Sequence, residues 1–288
     1  MLGLHRFSIL PEGAALAMTV KVFLTKEVPY LAAMHCEIRA LRDFYSSPLG
    51  QLAEQSIARA LSSVWEPSAS ERFVGVGYPV PWLDRFASEA ERTLCFMPAG
   101  QGAVAWPTDA KSATALIFDE ELPLADSSVD RLLYVHALEH SENPRETLTE
   151  AWRVLSPGGR VVAVVPSRRG LWARFEHTPF GTGRPFSEGQ LSRLLEESNL
   201  TVTHRVEALH FPPLRRRFAL RFAGAMERLG RRFWPLFAGV RIVVAEKRLY
   251  QGLPVAERAS RRVFQPVLQP AGALGRHRAA LDRRDWGR

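Results

Sequence analysis

The run RVVAVVP, Arg160 to Pro166, constrains the fold more than any other stretch of the chain. Its apolar residues are consecutive rather than alternating. A strand with one wet face alternates, whereas a strand covered on both faces reads as an unbroken apolar run. The chain must therefore place cover on each side of a sheet. The segment just before the run supplies one cover, because ENPRETLTEAWRVL reads as a helix. Asn143 stands at its N-cap position, Pro144 opens it, and Leu148, Ala151, Trp152 and Leu155 form its apolar face. Pro157, Gly158 and Gly159 end it.

The same pattern recurs along the chain. Short apolar runs at 73–77, 93–97, 113–118, 130–138, 200–209 and 240–250 read as further strands, with helical spacing between several of them. Ser187 caps another helix. Strands alternating with helices predict an α/β fold with a Rossmann-like, seven-stranded, mostly parallel sheet and helices on both faces. In such a sheet, ligands bind beyond the C-terminal ends of the strands. Residues 39–65 read as one helix carrying Phe44, Leu49, Leu52, Ile57, Leu61 and Val64 at three- and four-residue spacing, and a loop follows at 66–70.

Charge is informative because it is local. The formal net charge is +8, yet residues 211–237 hold seven arginines against one glutamate, and residues 251–288 hold eight arginines against three acids. The remainder is mildly acidic, which argues against a nucleic-acid partner. The two cysteines, Cys36 and Cys95, are far apart, so neither a disulfide framework nor a metal site is expected, and a reducing cytoplasm fits. Residues 1–38 read as a leader before the fold. Pro11, Glu12 and Gly13 interrupt its apolar run, which disfavours a cleaved signal and leaves Met18 and Met34 as alternative starts. The main domain is expected at 39–250, with a basic helical insertion at 212–239, and 251–288 reads as a disordered tail.

The segment DEELPLADSSVDRLLYVHALEHSENPRETLTEAWRVLSPGGRVVAVVP, Asp119 to Pro166, resembles the class I methyltransferases that use S-adenosyl-L-methionine, in the branch that includes small-molecule and quinone methyltransferases. The matching elements are Asp119 or Glu120, LPLADSSVD, LEH at 138–140 and RVLSPGG at 153–159. The resemblance spans roughly 73–250 and implies a last strand that runs antiparallel. It also implies that Asp119 or Glu120 accepts a hydrogen bond from the adenine amino group, that Leu122 packs on the ring, and that His136 lies at the cofactor. Without that pattern, Asp119 to Glu121 would read as a solvated acidic turn.

RFVGVGYPVP, Arg72 to Pro81, departs from the family. The family places an acid and three alternate glycines after its first strand, so that the backbone can approach the cofactor. Here Gly75 and Gly77 remain, followed by Tyr78, Pro79 and Pro81; either Gly75 stands where the acid belongs and only Gly77 is left of the triplet, or two glycines survive and the acid is lost. The acid that ends the second strand and binds the ribose is missing as well; TLCFMPAGQG offers only Gln101. Loss of such a charged hydrogen bond typically costs ~1.5–3 kcal/mol, or ~10- to 200-fold in affinity.

His140 after the fourth strand and His177 after the fifth are candidate bases, needed only if the methyl acceptor is protonated. The plainer readings are a loop cap for His140 and a surface residue for His177. Arg184, Arg215 and Arg216 are candidate substrate contacts. No [N/D]PP[Y/F/W] tetrapeptide follows the fourth strand, where nucleic-acid amino methyltransferases carry it. In 212–239, Phe218, Phe222, Met226, Leu229 and Phe233 recur at helical spacing opposite arginines. That segment reads as a lid, as a peripheral contact with an anionic membrane, or as a helix packed on the sheet edge. The resulting expectation is methyl transfer to a small or amphipathic acceptor. A binding or regulatory protein on the same fold is the alternative, and a nucleic-acid methyltransferase ranks below both.

Overall fold

The computed structural model describes residues 37–65, 70–88, 90–214, 217–233 and 237–249. The expectations for the leader up to residue 36 and for the tail 251–288 lie outside the described residues. Among these, seven strands form one sheet: β1 (Arg72–Gly77), β2 (Arg92–Pro98), β3 (Thr114–Ile117), β4 (Val129–Val135), β5 (Leu155–Pro166), β6 (Leu200–Ala208) and β7 (Val240–Lys247). Their order is β3-β2-β1-β4-β5-β7-β6. All neighbours pair in parallel except at β7, which runs antiparallel to both β5 and β6.

Both faces of the sheet are covered, and β5 shows why its sequence is unbroken. Val162 and Val164 point into one apolar cluster with Leu133, Val135, Ile242 and helix residues Ile57 and Leu61. Val161, Ala163 and Val165 point into the other, with Leu148, Ala151, Leu191 and Leu195. Successive strand residues face opposite ways, so two covered faces require every position to be apolar. The strand starts at Leu155 rather than Arg160, because Val129 already pairs with Leu155 before the register shifts.

Helices α4 (Pro144–Val154) and α5 (Glu188–Glu197) cover the second face. Ser187 and Gln190 form the capping box of α5. Asn143 occupies the N-cap position of α4, but its side chain makes no capping bond; Pro144 at the first position supplies the start by fixing φ. The expected single helix over 39–65 is two, α1 (Ile38–Ser46) and α2 (Pro48–Ser62). Pro48 pushes Ser47 into extended backbone, ψ 157°, and the Ser47 hydroxyl accepts from the Gly50 N–H at 3.1 Å. One further helix was not expected. The prolines after β1 initiate α3 (Val80–Ala87) instead of interrupting structure, since Pro81 falls in the first turn, where no N–H is needed.

α6 (Arg217–Phe233) joins β6 to β7. Its packed side is not the aromatic stripe. Ala223 is buried, and Glu227 accepts from Ser56 Oγ at 2.8 Å and from the His210 backbone N–H at 2.6 Å. Phe222, Met226, Leu229 and Phe233 are exposed on another side of the helix. The Phe218 side chain lies outside the described residues.

At the opposite edge of the sheet, Asp130 ties three strands together. Its carboxylate accepts from the Arg72 backbone N–H, from the Arg72 guanidinium through two nitrogens, and from Ser156 Oγ at 2.7 Å. The Arg72 hydrogen bonds are the main reason its carboxyl is held down at about 2. A depressed carboxyl stabilises the fold above its unfolded value, and that contribution is lost as pH falls through the folded value. Both partners are partly exposed, so the contribution is of the order of 1 kcal/mol. Asp130→Asn should lower the melting temperature at pH 7, and the gap from wild type should narrow as pH falls from about 4 and close at about 2 in thermal melts.

Candidate functional site

The C-terminal ends of β1, β2, β3 and β4 meet at one edge of the sheet, and the chain's polar residues gather there in two groups. The first group lies past β2 and β3. The Asp119 carboxyl is half-buried two residues after β3. Burial raises it to about 6, with the carboxylates of Glu120 and Glu142 adding to the effect. Glu120 is exposed, and Phe118 beside it is exposed as well. Leu122 is buried and rigidly held: its N–H donates to Glu150 Oε1 at 2.9 Å, and its carbonyl accepts from Arg153 Nη2 at 3.1 Å. Thus α4 clamps the turn that presents Asp119.

Gln101 ties the loop after β2 to the exit of β4. It sits three residues after β2 and is buried. Its amide nitrogen donates to the His136 carbonyl at 2.6 Å, while its Oε1 is buried with no hydrogen-bond partner in the structure. A buried acceptor without a donor costs free energy, so such an atom marks a place where a donor belongs. Its backbone carbonyl accepts from Ile38 N–H at 2.9 Å, which fixes the start of α1 over this edge.

The second group lies past β1 and β4. Gly77 has φ +89°, and a Cβ there would stand 2.1 Å from the Val135 carbonyl oxygen. The close approach that Gly77 permits is thus to the exit of β4, where Tyr78 N–H donates to the same carbonyl at 2.7 Å. A Cβ on Gly75 would meet the Pro79 ring at 2.5 Å. Tyr78 is buried, its hydroxyl pushed up to about 12 by that burial, and its ring stacks on Tyr45 of α1 at 5.9 Å.

His136 adopts φ +52° directly after β4 and is buried. Tyr45 Oη lies 2.7 Å from its Nε2, and Glu139 Oε1 lies 3.2 Å from its Nδ1. A neutral imidazole with its proton on Nδ1 satisfies both contacts: the phenol donates to Nε2 and Nδ1–H donates to Glu139. Glu139 Oε2 is buried without a hydrogen-bond partner in the structure. The Phe180 ring closes the side of His136 at 4.9 Å, backed edge-on by Trp172, which in turn meets Phe44 and Phe211.

The structure therefore brings Gly75, Gly77, Tyr78 and His136 together at one end, and Asp119, Glu120 and Leu122 at the other. His140 is buried on the loop after β4, against Gly183, and the Arg184 N–H donates to the Glu139 carbonyl at 2.8 Å, which draws the loop after β5 onto the same edge. The Arg184 side chain is exposed. His177 Nε2 contacts the Pro213 carbonyl at 3.2 Å, next to α6 rather than beside His136. Arg215 and Arg216 lie outside the described residues. Sequence reasoning missed Tyr45, Glu139, Phe180 and Trp172. Only the aromatic, glycine-rich composition of 167–186 hinted at the last two. Among the described residues, no cluster of three or more His, Cys, Asp or Glu side chains could hold a metal ion.

Matched against the S-adenosylmethionine such a sheet edge serves, the two groups differ. Asp119 and the unmatched Gln101 oxygen have the acceptor chemistry that an adenosine, rich in N–H and O–H donors, requires. Past β1, the Pro79 ring fills the space an acid at position 75 would use, and Tyr45 covers Tyr78 and His136. The nucleoside half fits the residues present; the amino-acid half is closed by α1.

Residues 75–163 match the methyltransferase domain family. No curated protein sequence matches the chain. Among solved structures, an S-adenosylmethionine-dependent methyltransferase of Thermotoga maritima is similar at 16% identity, covering 73% of this chain and 96% of its own, with a TM-score of 0.50. A second, from Mesorhizobium loti, is 18% identical over 69% of this chain and 99% of its own, with a TM-score of 0.48. The strand order with its antiparallel β7 is that of the Rossmann-like methyltransferase fold, and the match to the methyltransferase domain family spans β1 to β5 within it.

Proposed function

We propose that the protein transfers a methyl group from S-adenosylmethionine to a small or amphipathic acceptor, and that α1 must shift for the whole cofactor to enter. The observation that carries this reading is the presence of two acceptors past the ends of β3 and β2, the Asp119 carboxyl and the unmatched Gln101 Oε1, within the segment that matches the methyltransferase domain family. Asp119 would accept from the adenine amino group and Gln101 from a ribose hydroxyl. When bound, the cofactor supplies the methyl group; the chain's residues position it and exclude water. Of the two candidate bases, His140 lies on the loop that leaves β4, while His177 Nε2 is engaged by the Pro213 carbonyl.

A second reading has its own observation. The Tyr45–His136–Glu139 chain and the Pro79 ring close the amino-acid half, which suits a protein that binds a nucleoside without methyl transfer. Calorimetric titration of wild type and Tyr45→Ala with adenosine, S-adenosylhomocysteine and S-adenosylmethionine separates the two. The methyltransferase reading expects all three to bind wild type, and the two amino-acid-bearing ligands to gain ten-fold or more in Tyr45→Ala, where the ring no longer stands in the way. Adenosine binding alone, in both proteins, would favour the binding module. A folded wild type that binds none of the three at millimolar concentration would overturn the cofactor assignment.

Asp119 gives a second test in which two effects have opposite signs. Because its carboxyl is raised in the folded protein, its charged form destabilises the fold above its unfolded value, and the penalty is complete once pH exceeds about 6. Asp119→Asn should therefore raise the melting temperature at pH 7 and leave it unchanged near pH 3. The same substitution should weaken adenosine binding at pH 7. In wild type, adenosine affinity should fall as pH drops through about 6, and Asn at this position should remove that dependence. A variant that gains stability but keeps full affinity would take Asp119 out of the site.

A further inference from the structure

The face of α6 that the fold leaves outward combines two chemistries. At 3.6 residues per turn, Phe222, Met226, Leu229 and Phe233 fall within about 60° of one line along the helix. They are 49%, 38%, 54% and 63% exposed. Arg221, Arg228 and Arg232 fall within about 40° of a second line along one flank of that stripe, and all three are exposed. The helix holds five arginines and a single acid, Glu227. That acid faces inward, where Ser56 Oγ and the His210 backbone N–H bind it. Leu214 before the helix and Phe237 after it are exposed as well.

The helix is also firmly mounted. Besides the Glu227 contacts, Ala223 is buried, and Gly230 sits so close to His210 that a Cβ would lie 2.6 Å from the His210 Cβ. It could not roll to bury its apolar stripe without breaking these contacts. It joins β6 to β7, so it leaves the same edge of the sheet that carries the candidate site. Among the described residues, no helix is long and apolar enough to cross a membrane.

We infer that α6 is a surface anchor that lies in the headgroup region of an anionic lipid bilayer, with its apolar stripe inserted and its arginines on the lipid phosphates. The charge decides between occupants. Two copies of the chain meeting through α6 would bring two sets of arginines together, with no free acid on the helix to offset them. Nucleic acid would match the charge but offers no continuous apolar layer. The interface of an anionic bilayer offers both, and basic amphipathic helices bind there through buried apolar area plus attraction to acidic headgroups. This inference does not depend on whether the chain transfers methyl groups.

The test is flotation of the full chain with vesicles of phosphatidylcholine alone and of phosphatidylcholine mixed with phosphatidylglycerol, at low and high salt. Binding is expected to the mixed vesicles only and to weaken as salt rises. Met226→Ser with Leu229→Ser should reduce it ten-fold or more without lowering the melting temperature, since both side chains point away from the core. Arg228→Ser and Arg232→Ser should each reduce it about five-fold. Absence of binding to mixed vesicles at low salt overturns the inference. So does full binding by the α6 variants, which would assign it to arginines elsewhere in the chain. A concentration-dependent dimer abolished by the Met226 and Leu229 substitutions, or vesicle binding that appears only once residues 1–36 are removed, would name a different occupant and overturn it equally.

Discussion

The exit of β4 is where four segments of the chain converge, and the His136 imidazole and carbonyl are what they hold in common. Its positive φ turns the backbone so that the ring faces α1, while its carbonyl faces the loop after β2. Tyr45 and Glu139 hold the ring at its two nitrogens, Gln101 holds the carbonyl, and Phe180 closes its side. A buried imidazole is tolerable because each nitrogen has a partner. Remove one partner and a polar atom is left unmatched in an apolar surround. The placement of α1 across the strand ends, and the closure of one half of the site, both follow from satisfying this one residue.

The sheet was legible in the sequence to a degree that the site was not. Strand identity is written in consecutive apolar residues, as in Arg160 to Pro166, and every strand read that way is present. Helix boundaries depend on single residues: Ser47 and Pro48 split a pattern whose apolar spacing runs on across the break, and Asn143 stands at a cap without serving as one. The prolines of 78–81 looked like damage to a glycine turn and prove to open a helix. Periodicity reports that a residue is apolar and regularly spaced; it does not report which side of a helix the neighbouring elements will cover. In α6, Ala223, Glu227 and Gly230 make the contact, while the regularly spaced aromatic stripe faces outward.

The site was legible only where its residues are close in sequence. Asp119, Leu122, His136 and His140 lie within 22 residues of one another and could be read together. Tyr45 lies 91 residues from its hydrogen-bond partner, and no local pattern links them. Gln101 was noticed for its position after β2, yet its nitrogen turns to a backbone carbonyl rather than to a ligand, leaving only its oxygen on offer. Contacts between distant segments are set by the topology of the sheet and by the docking of α1, whose first N–H binds the Gln101 carbonyl.

Gly75 and Pro79 hold each other's identity in place. The pyrrolidine ring lies where any side chain at 75 would have to grow. An acid cannot return to that position by one substitution, because it would enter a space already filled by a rigid ring whose φ is fixed by its own closure. Replacing Pro79 alone leaves an empty pocket beside a glycine and gains no ligand contact. A side chain at 75 therefore requires a change at 79 as well, so the two positions are coupled.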